Sequence, residues 1–345
     1  MKYGRLMFPA VISGTGFCNL GDIAQTLAVD LIYRVLHIDE NDIVNIFVDE
    51  LGTYRGEKVL LPIAGFFNYR KNAPAFPTSE DIIPVFLSLY TISGLYLNKK
   101  EFWKKQGLIG CRDERTMELM RKRGYDAWLL GCMTMLFPCR DHVPEKEHVF
   151  IVDAEPSVYN YIPERLMKSA EYVTHLVKVD SGMSREQTGR AMENKTRELL
   201  QRYYQEATLV ITSRLHCAAP CIAMGIPTVV VRKGFDERYG WIDKFVHLYT
   251  EDEFAQIDWE PKPVELELHK KRLMDAAVSI VRREADRNIV KEIHEFYMQR
   301  DRKELRATFM VRVYVWLRQY APGMAGYIRK VLKVFTITGR SGGNG

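Results

Sequence analysis

The 345-residue chain lacks the signatures that most often assign a chemistry directly. It has no HExxH pair and no DxD run, and the acids near its motifs are scattered, so no metal site is expected. There is no GxSxG elbow and no cysteine paired with a histidine inside a motif, so nothing supports acyl transfer. A GxGxxG dinucleotide fingerprint is also missing. The six cysteines (Cys18, Cys111, Cys132, Cys139, Cys217 and Cys221) form no CxxC pair and no zinc-ligand spacing. Reduced thiols in a cytoplasmic protein, with no cofactor, are the simplest reading. No run of about 18 apolar residues is present, which argues against a membrane-spanning helix. The apolar start is broken by Arg5 and by Asn19 to Asp22, which argues against a secretory segment.

What the chain does contain is a globular composition, 47% hydrophobic and 27% charged. At roughly 150 residues per domain, two domains are expected. The net charge of +5 is unevenly placed. Residues 302–345 hold nine Lys or Arg and one acid, a local +8, so residues 1–301 carry −3. A net acidic body and a tail without a readable motif argue against nucleic acid as a partner.

The sequence is organised around residues 208–231, TLVITSRLHCAAPCIAMGIPTVVV. Leu209 to Ile211 reads as a strand, Ala218 to Met224 as a short helix and Thr228 to Val231 as a second strand, a βαβ unit of a parallel sheet. Ligands of such sheets sit beyond the carboxyl ends of the strands. Thr212, Ser213, Arg214 and His216 occupy that position. An Arg and a His two residues apart at a strand mouth can hold an anion and deliver a proton.

The same pattern recurs upstream. A first strand is expected over 6–13, then a glycine-bearing turn and a helix from Ile23 to about Leu36 with Asp22 as its cap. Such a turn is either an ordinary connection or an anion site at a helix N-terminus. Strands are expected at 44–48, 59–64 and 85–89, and Asp113 is expected to cap a helix over 114–123. Arg112 then sits on a strand-to-helix turn, facing the cleft or pairing with a neighbouring acid. Further strands are read at 128–130, 149–152 and 172–179, with long helices at 187–206 and within 264–298. Arg238 reaches the cleft or pairs with Asp236. The expected divisions are 1–140 and 149–260 for two α/β domains, 261–300 for closing helices, and 301–345 for a basic tail. In that tail TFMVRVYVWL (308–317) and YIRKVLKVF (327–335) suit either an anionic membrane interface or packing on a partner.

Three stretches resemble the polysaccharide pyruvyl transferase family: CNLGDIAQTLA at 18–28, GCRDERTMELMRKRGYDAWLLGC at 110–132, and TSRLH followed by a small-residue helix and GIP. The resemblance implies two Rossmann-like domains facing a cleft, of glycosyltransferase-B-like form, with a helical C-terminal extension. It implies phosphoenolpyruvate as donor and a sugar ketal as product. It moves Asn19, Gly21 and Asp22 toward the active-site cleft, Arg112 toward anion binding, and His175 and Thr134 toward substrate contact. Relatives usually carry glycines where this chain has Ala64-Gly65-Phe66-Phe67, and the bulky rings there suggest contact with the sugar.

Phosphoenolpyruvate carries a carboxylate and a phosphate, so two guanidiniums, Arg112 and Arg214, are its natural clamp. Making the ketal requires a proton on the methylene carbon, for which His216 is the expected acid, its pKa raised by a nearby anion. Asp22 is the expected acceptor of a hydroxyl proton, or else only a helix cap. The basic tail points to a lipid-linked saccharide at the inner face of the cytoplasmic membrane. Two other classes stay open. A nucleotide-sugar glycosyltransferase predicts binding of a nucleoside diphosphate; a non-catalytic membrane-associated assembly factor predicts no donor binding.

Overall fold

The structure is a computed structural model that describes residues 1–8, 16–67, 75–91, 96–180 and 182–299. In chain order the first elements are β1 (Lys2–Met7), β2 (Phe17–Asn19), α1 (Leu20–Val35), β3 (Ile43–Phe47), β4 (Val59–Phe66) and β5 (Ile82–Tyr90). Next come α2 (Lys100–Trp103), β6 (Ile109–Cys111), α3 (Glu114–Arg121), β7 (Ala127–Leu129), β8 (Val149–Val152), α4 (Glu164–Lys168), β9 (Ala170–Val173) and β10 (Leu176–Lys178). The chain continues through α5 (Arg185–Glu206), β11 (Leu209–Thr212), α6 (Leu215–Ala223), β12 (Thr228–Val231), β13 (Leu248–Tyr249), α7 (Glu267–Val281) and α8 (Arg287–Met298). Part of the strand expected over 6–13, the 68–74 segment and the basic tail, with its 308–317 and 327–335 stretches, lie outside the described residues.

The fold is α/β, with two parallel sheets. The first has the order β3-β1-β4-β5-β6-β7 and the second β13-β12-β11-β8-β9. Parallel strands covered by helices on both faces must be apolar along their length rather than alternating. VFIV in β8, LVIT in β11 and TVVV in β12 are buried at every position. Their side chains divide by parity, as strand geometry demands. Val149, Ile151, Leu209, Ile211 and Val229 face an outer apolar layer. Phe150, Val152, Val210 and Val230 join a larger core that also takes in the first sheet and α1. The two halves therefore share buried apolar surface.

In the second sheet β11 and β9 flank β8, so the chain reverses direction of travel between β8 and β11. Such a switch point leaves a crevice at the strand ends. Asp153 follows β8 and Arg214 follows β11, and they meet there at 2.9 Å.

Strand β1 opens at Lys2, four residues before the start expected, and three further boundaries differ from the sequence reading with consequences for the cleft. Helix α1 starts at Leu20, and Asn19 caps it, its side chain accepting from Gly21 N–H at 3.2 Å. Asn19 is extended at φ −100°, ψ 110°, and Asp22 is displaced into the first turn. The strand expected over 172–179 is two strands broken at Thr174 and His175. The Asp153 carboxylate takes the His175 N–H at 2.9 Å, and β10 leaves to pair antiparallel with β2 of the other half. Helix α6 begins at Leu215 rather than Ala218, which makes Arg214 its N-cap residue and puts His216 in its first turn. The Asp113 cap is as expected: its carboxylate accepts from Thr116 N–H at 2.9 Å.

Polar ties hold the halves together. Leu20 N–H donates to the His175 carbonyl at 2.9 Å. Arg5 bridges Asp30 and Glu193 at 2.6 and 2.8 Å, and Arg197 returns to Asp30 at 3.0 Å. Breaking one partner of such a buried ion cluster strands the others, at about 3–5 kcal/mol. Beyond the second sheet, α7 and α8 pack back on the first. Tyr297 of α8 lies over Gly131, where a Cβ would come within 2.6 Å of its hydroxyl; Gly131 also has φ +71°, which glycine tolerates best.

Candidate functional site

A cavity of about 380 Å³ opens between the two halves, at the low end of the range for small-molecule sites. Asn19, Gly21, Asp22, Phe66, Tyr90 and Arg112 line it from the first half. His175, Arg214, His216, Arg232, Arg238 and Tyr239 line it from the second.

Arg112 is the most unusual group. It stands just past β6, only 2% exposed. Its guanidinium lies over the Tyr90 ring at 4.4 Å and bonds to neutral acceptors, Gln25 Oε1 at 3.0 Å and His216 Nε2 at 3.3 Å. Among the described residues no carboxylate comes within ion-pair distance of it, and its Nε finds no partner. A buried cation held only by neutral groups retains its charge for an anion. The alternative of a surface Arg paired with Asp113 or Glu114 does not hold: Arg112 is buried, its bonds go to Gln25 and His216, and the Asp113 carboxylate accepts from Thr116.

Gly21 explains how the first turn of α1 comes so close. A Cβ built there would lie 2.8 Å from His216 Cβ, so only glycine lets the helix start rest on this histidine. Asp22, one residue on, is half-buried, and withdrawal from water pushes its carboxyl up to about 6 despite the opposing pull of Arg112, Asn19, Arg214 and Arg238. A carboxyl poised there can exchange a proton near neutral pH. Gln25 joins the two charges, donating to Asp22 at 3.4 Å and accepting from Arg112.

From the second half, Arg214 spends its Nε on Asp153 at 2.9 Å and keeps 30% of its side chain exposed to the cleft. Arg238 resolves its alternatives by doing both. It grips Asp236 through two bonds, of 2.8 and 2.6 Å, and still lines the cavity. Arg232 bonds to the Tyr239 hydroxyl at 2.8 Å and to the Ser213 carbonyl at 3.3 Å. Four guanidiniums and one carboxylate, Asp22, thus line the space, while Asp153 and Asp236 hold Arg214 and Arg238 from behind the lining.

His216 has Cys132 Sγ at 3.7 Å on the same Nε2 that faces Arg112. Burial, then Arg112, Arg238 and His175, hold its imidazole well below the usual histidine range. The expected rise belongs to a cleft with an anion bound; in the empty cleft burial and the surrounding cations act the other way. His175 is 3% exposed, its Nε2 3.1 Å from the Tyr203 hydroxyl and its Nδ1 without a partner among the described residues.

Two expected site residues face elsewhere. Thr134 is fully buried, outside the cavity lining, and its hydroxyl donates to Cys132 Sγ at 3.2 Å. The Ser213 hydroxyl donates to the Asp153 carbonyl, and its own carbonyl accepts from Tyr239 at 2.7 Å. Tyr90, Arg232, Tyr239 and Gln25 were missed. Tyr90 ends β5 and Arg232 directly follows β12, so the strand-end rule applied to every strand would have found both. Gln25 lies three residues from Asp22 on one helix face. Phe66, the last residue of β4, lines the cavity, while Phe67 is buried. Among the described residues no group of His, Cys, Asp and Glu is placed to hold a metal ion, and no helix is long and apolar enough to cross a membrane.

Comparison with solved structures gives loose overlaps. The S. aureus MnaA-UDP co-structure aligns over 90% of this chain and 100% of its own, at 9% identity and a TM-score of 0.39. A UDP-N-acetylglucosamine 2-epimerase structure from Listeria monocytogenes, described as such without proof of activity, aligns over 83% and 98%, at 12% identity and a TM-score of 0.40. Overlaps this loose carry no argument about ligand or reaction. No curated protein matches the chain. The family comparison is local and informative: residues 91–232, the span that holds Arg112, His175, Arg214 and His216, match the polysaccharide pyruvyl transferase family.

Proposed function

We propose that the protein transfers pyruvate from phosphoenolpyruvate to a sugar of a polysaccharide precursor, forming a cyclic ketal and releasing phosphate. The observation that carries this reading is Arg112, a buried guanidinium without a carboxylate partner among the described residues, in a small cavity that Arg214 also lines. The match of residues 91–232 to the pyruvyl transferase family supports it.

In this reading Arg112 and Arg214 hold the carboxylate and phosphate of the donor, assisted by the start of α6. A first sugar hydroxyl adds to the central carbon while His216 gives a proton to the methylene carbon, which becomes the methyl group. A second hydroxyl then displaces phosphate from the same carbon. Of the two hydroxyl protons, Asp22 takes the first and returns it to His216, and the second leaves with phosphate. His216 is neutral in the empty cleft, so the donor must bind first. Its negative charge reverses the Coulombic balance at the imidazole and draws the Arg112 hydrogen bonds to itself.

Phe66 and Tyr239 at the cavity wall offer apolar ring surface for the acceptor. The basic sequence at 302–345 suits an anionic membrane surface, where a lipid-linked acceptor would be met. Phosphate release from phosphoenolpyruvate, measured with a lipid-linked saccharide fraction as acceptor, tests the reaction. Release by the wild type and its loss in His216→Ala are expected; full turnover by His216→Ala sinks the assignment.

A further inference from the structure

Residue 220 is a proline inside α6, and the residue four positions before it is His216. In a helix interior each residue donates its N–H to the carbonyl four back; proline has no N–H, and its ring crowds that carbonyl. In α6 the consequence falls on His216, whose φ of −88° and ψ of 17° are non-helical. Those angles lie in the sparsely allowed bridge region, where residues persist only when their surroundings hold them. The turn around it is otherwise bonded, with Cys217 and Ala218 N–H both donating to the Arg214 carbonyl at 3.1 and 2.9 Å. Pro220 is buried, so the kink is not a frayed end.

From this kinked position His216 meets the other half of the molecule. Its Cβ rests against Gly21, and its Nε2 lies 3.3 Å from Arg112 and 3.7 Å from Cys132. We propose that Pro220 is a positioning residue for His216. By withholding one helix bond and crowding one carbonyl, it fixes the histidine in the backbone conformation that aims the imidazole at Arg112 and the cavity. The consequence for turnover rests on the donor chemistry proposed above; the geometric claim does not.

Pro220→Ala supplies the missing N–H, lets residue 216 relax into the helix and turns the ring away from Arg112. The charged and titratable groups facing the ring are Arg112 after β6, Cys132 after β7, Asp22 in α1, His175 between β9 and β10, and Arg238 beyond β12. Arg112 is the strongest of the cations that hold its proton off, so a ring withdrawn from it titrates closer to an ordinary histidine.

The test uses the full chain as wild type, Pro220→Ala and Pro220→Ser, with carbon-13-labelled histidine followed by NMR across pH, and thermal melting alongside. The expected result is a melting midpoint that holds or rises in both variants and a His216 titration shifted upward. Phosphate release from phosphoenolpyruvate falls roughly tenfold or more, while calorimetric affinity for phosphoenolpyruvate stays close to wild type, because Arg112 and Arg214 are untouched. An unchanged His216 titration overturns the proposal, and so does unfolding of both variants. If the wild type binds no phosphoenolpyruvate, the donor reading fails, and the NMR result still decides whether Pro220 places His216.

Discussion

Arg112 Nη1 stands 3.3 Å from His216 Nε2. A guanidinium can only donate, so the imidazole accepts through Nε2 and carries its single proton on Nδ1. The empty cleft therefore holds a neutral histidine beside a buried cation, the reverse of what a general acid needs. On the function proposed above the donor would make the acid: an anion beside Arg112 would satisfy the cation and stabilise an imidazolium.

The first prediction is a titration. In the unliganded protein His216 stays neutral at and below pH 6.5, because its pKa is held well under the ordinary value. With phosphoenolpyruvate bound, its carbon-13 resonance should titrate at higher pH. An unchanged titration in the presence of saturating phosphoenolpyruvate contradicts the proposed acid role.

Asp22 gives the second. With its carboxyl at about 6, the base form is lost as pH falls, so turnover should drop below about pH 6. Donor charge moves this limb upward rather than downward, since a bound anion disfavours a second negative charge. Asp22→Asn should lose most of its turnover and the acidic limb together, while binding phosphoenolpyruvate at least as tightly as wild type. A pH profile that keeps the same limb in Asp22→Asn assigns the titration to another group.

Gly21→Ala tests the contact between the halves. The added Cβ would lie 2.8 Å from His216 Cβ, so one of them must move. A displacement of this kind at a reacting group costs up to about 10²-fold in rate. We expect turnover to fall by that order while the melting midpoint shifts little, and near-normal turnover would show that the histidine has room to spare.

Asp113 separates a helix cap from a site residue. Burial pushes its carboxyl up to about 6, against the bonds from Thr116. Its folded pKa thus lies above the unfolded value of about 3.9. Between about pH 4 and pH 6 the unfolded chain binds fewer protons, and stability falls as pH rises through that window. Asp113→Asn keeps the cap and cannot ionise, so it should gain on wild type across that window in urea denaturation. Asp113→Ala should lose about 1 kcal/mol or more at any pH, from the missing cap.

Much of this was legible in the residues because parallel strands announce themselves. VFIV is apolar throughout and TVVV β-branched throughout, and β8 and β12 begin and end where those runs do. Boundaries set by tertiary contacts were not legible. The break at His175 depends on a carboxylate 22 positions away and on a strand of the other half. The early start of α6 depends on how a first turn accommodates Pro220. The site followed the same division. Arg112, Arg214 and His216 sit at strand ends within recognisable motifs, and the structure brings them to one cavity. Thr134 had the right residue type and the wrong direction, its hydroxyl turned to Cys132. Gln25 and Tyr90, which hold Arg112 in place, become visible only once the helix and the strand are seen side by side.

The central claim is that the buried charge of Arg112 binds the donor. It is tested most directly by calorimetric titration of phosphoenolpyruvate into wild type, Arg112→Ala and Arg214→Ala, with UDP- and GDP-sugars titrated in parallel. The account predicts that wild type binds phosphoenolpyruvate, that each variant weakens binding by roughly tenfold or more, as loss of a charge-assisted contact of about 1.5–3 kcal/mol implies, and that no nucleotide sugar competes. Binding of a nucleotide sugar without phosphoenolpyruvate binding, or phosphoenolpyruvate binding that survives the loss of Arg112, would contradict it.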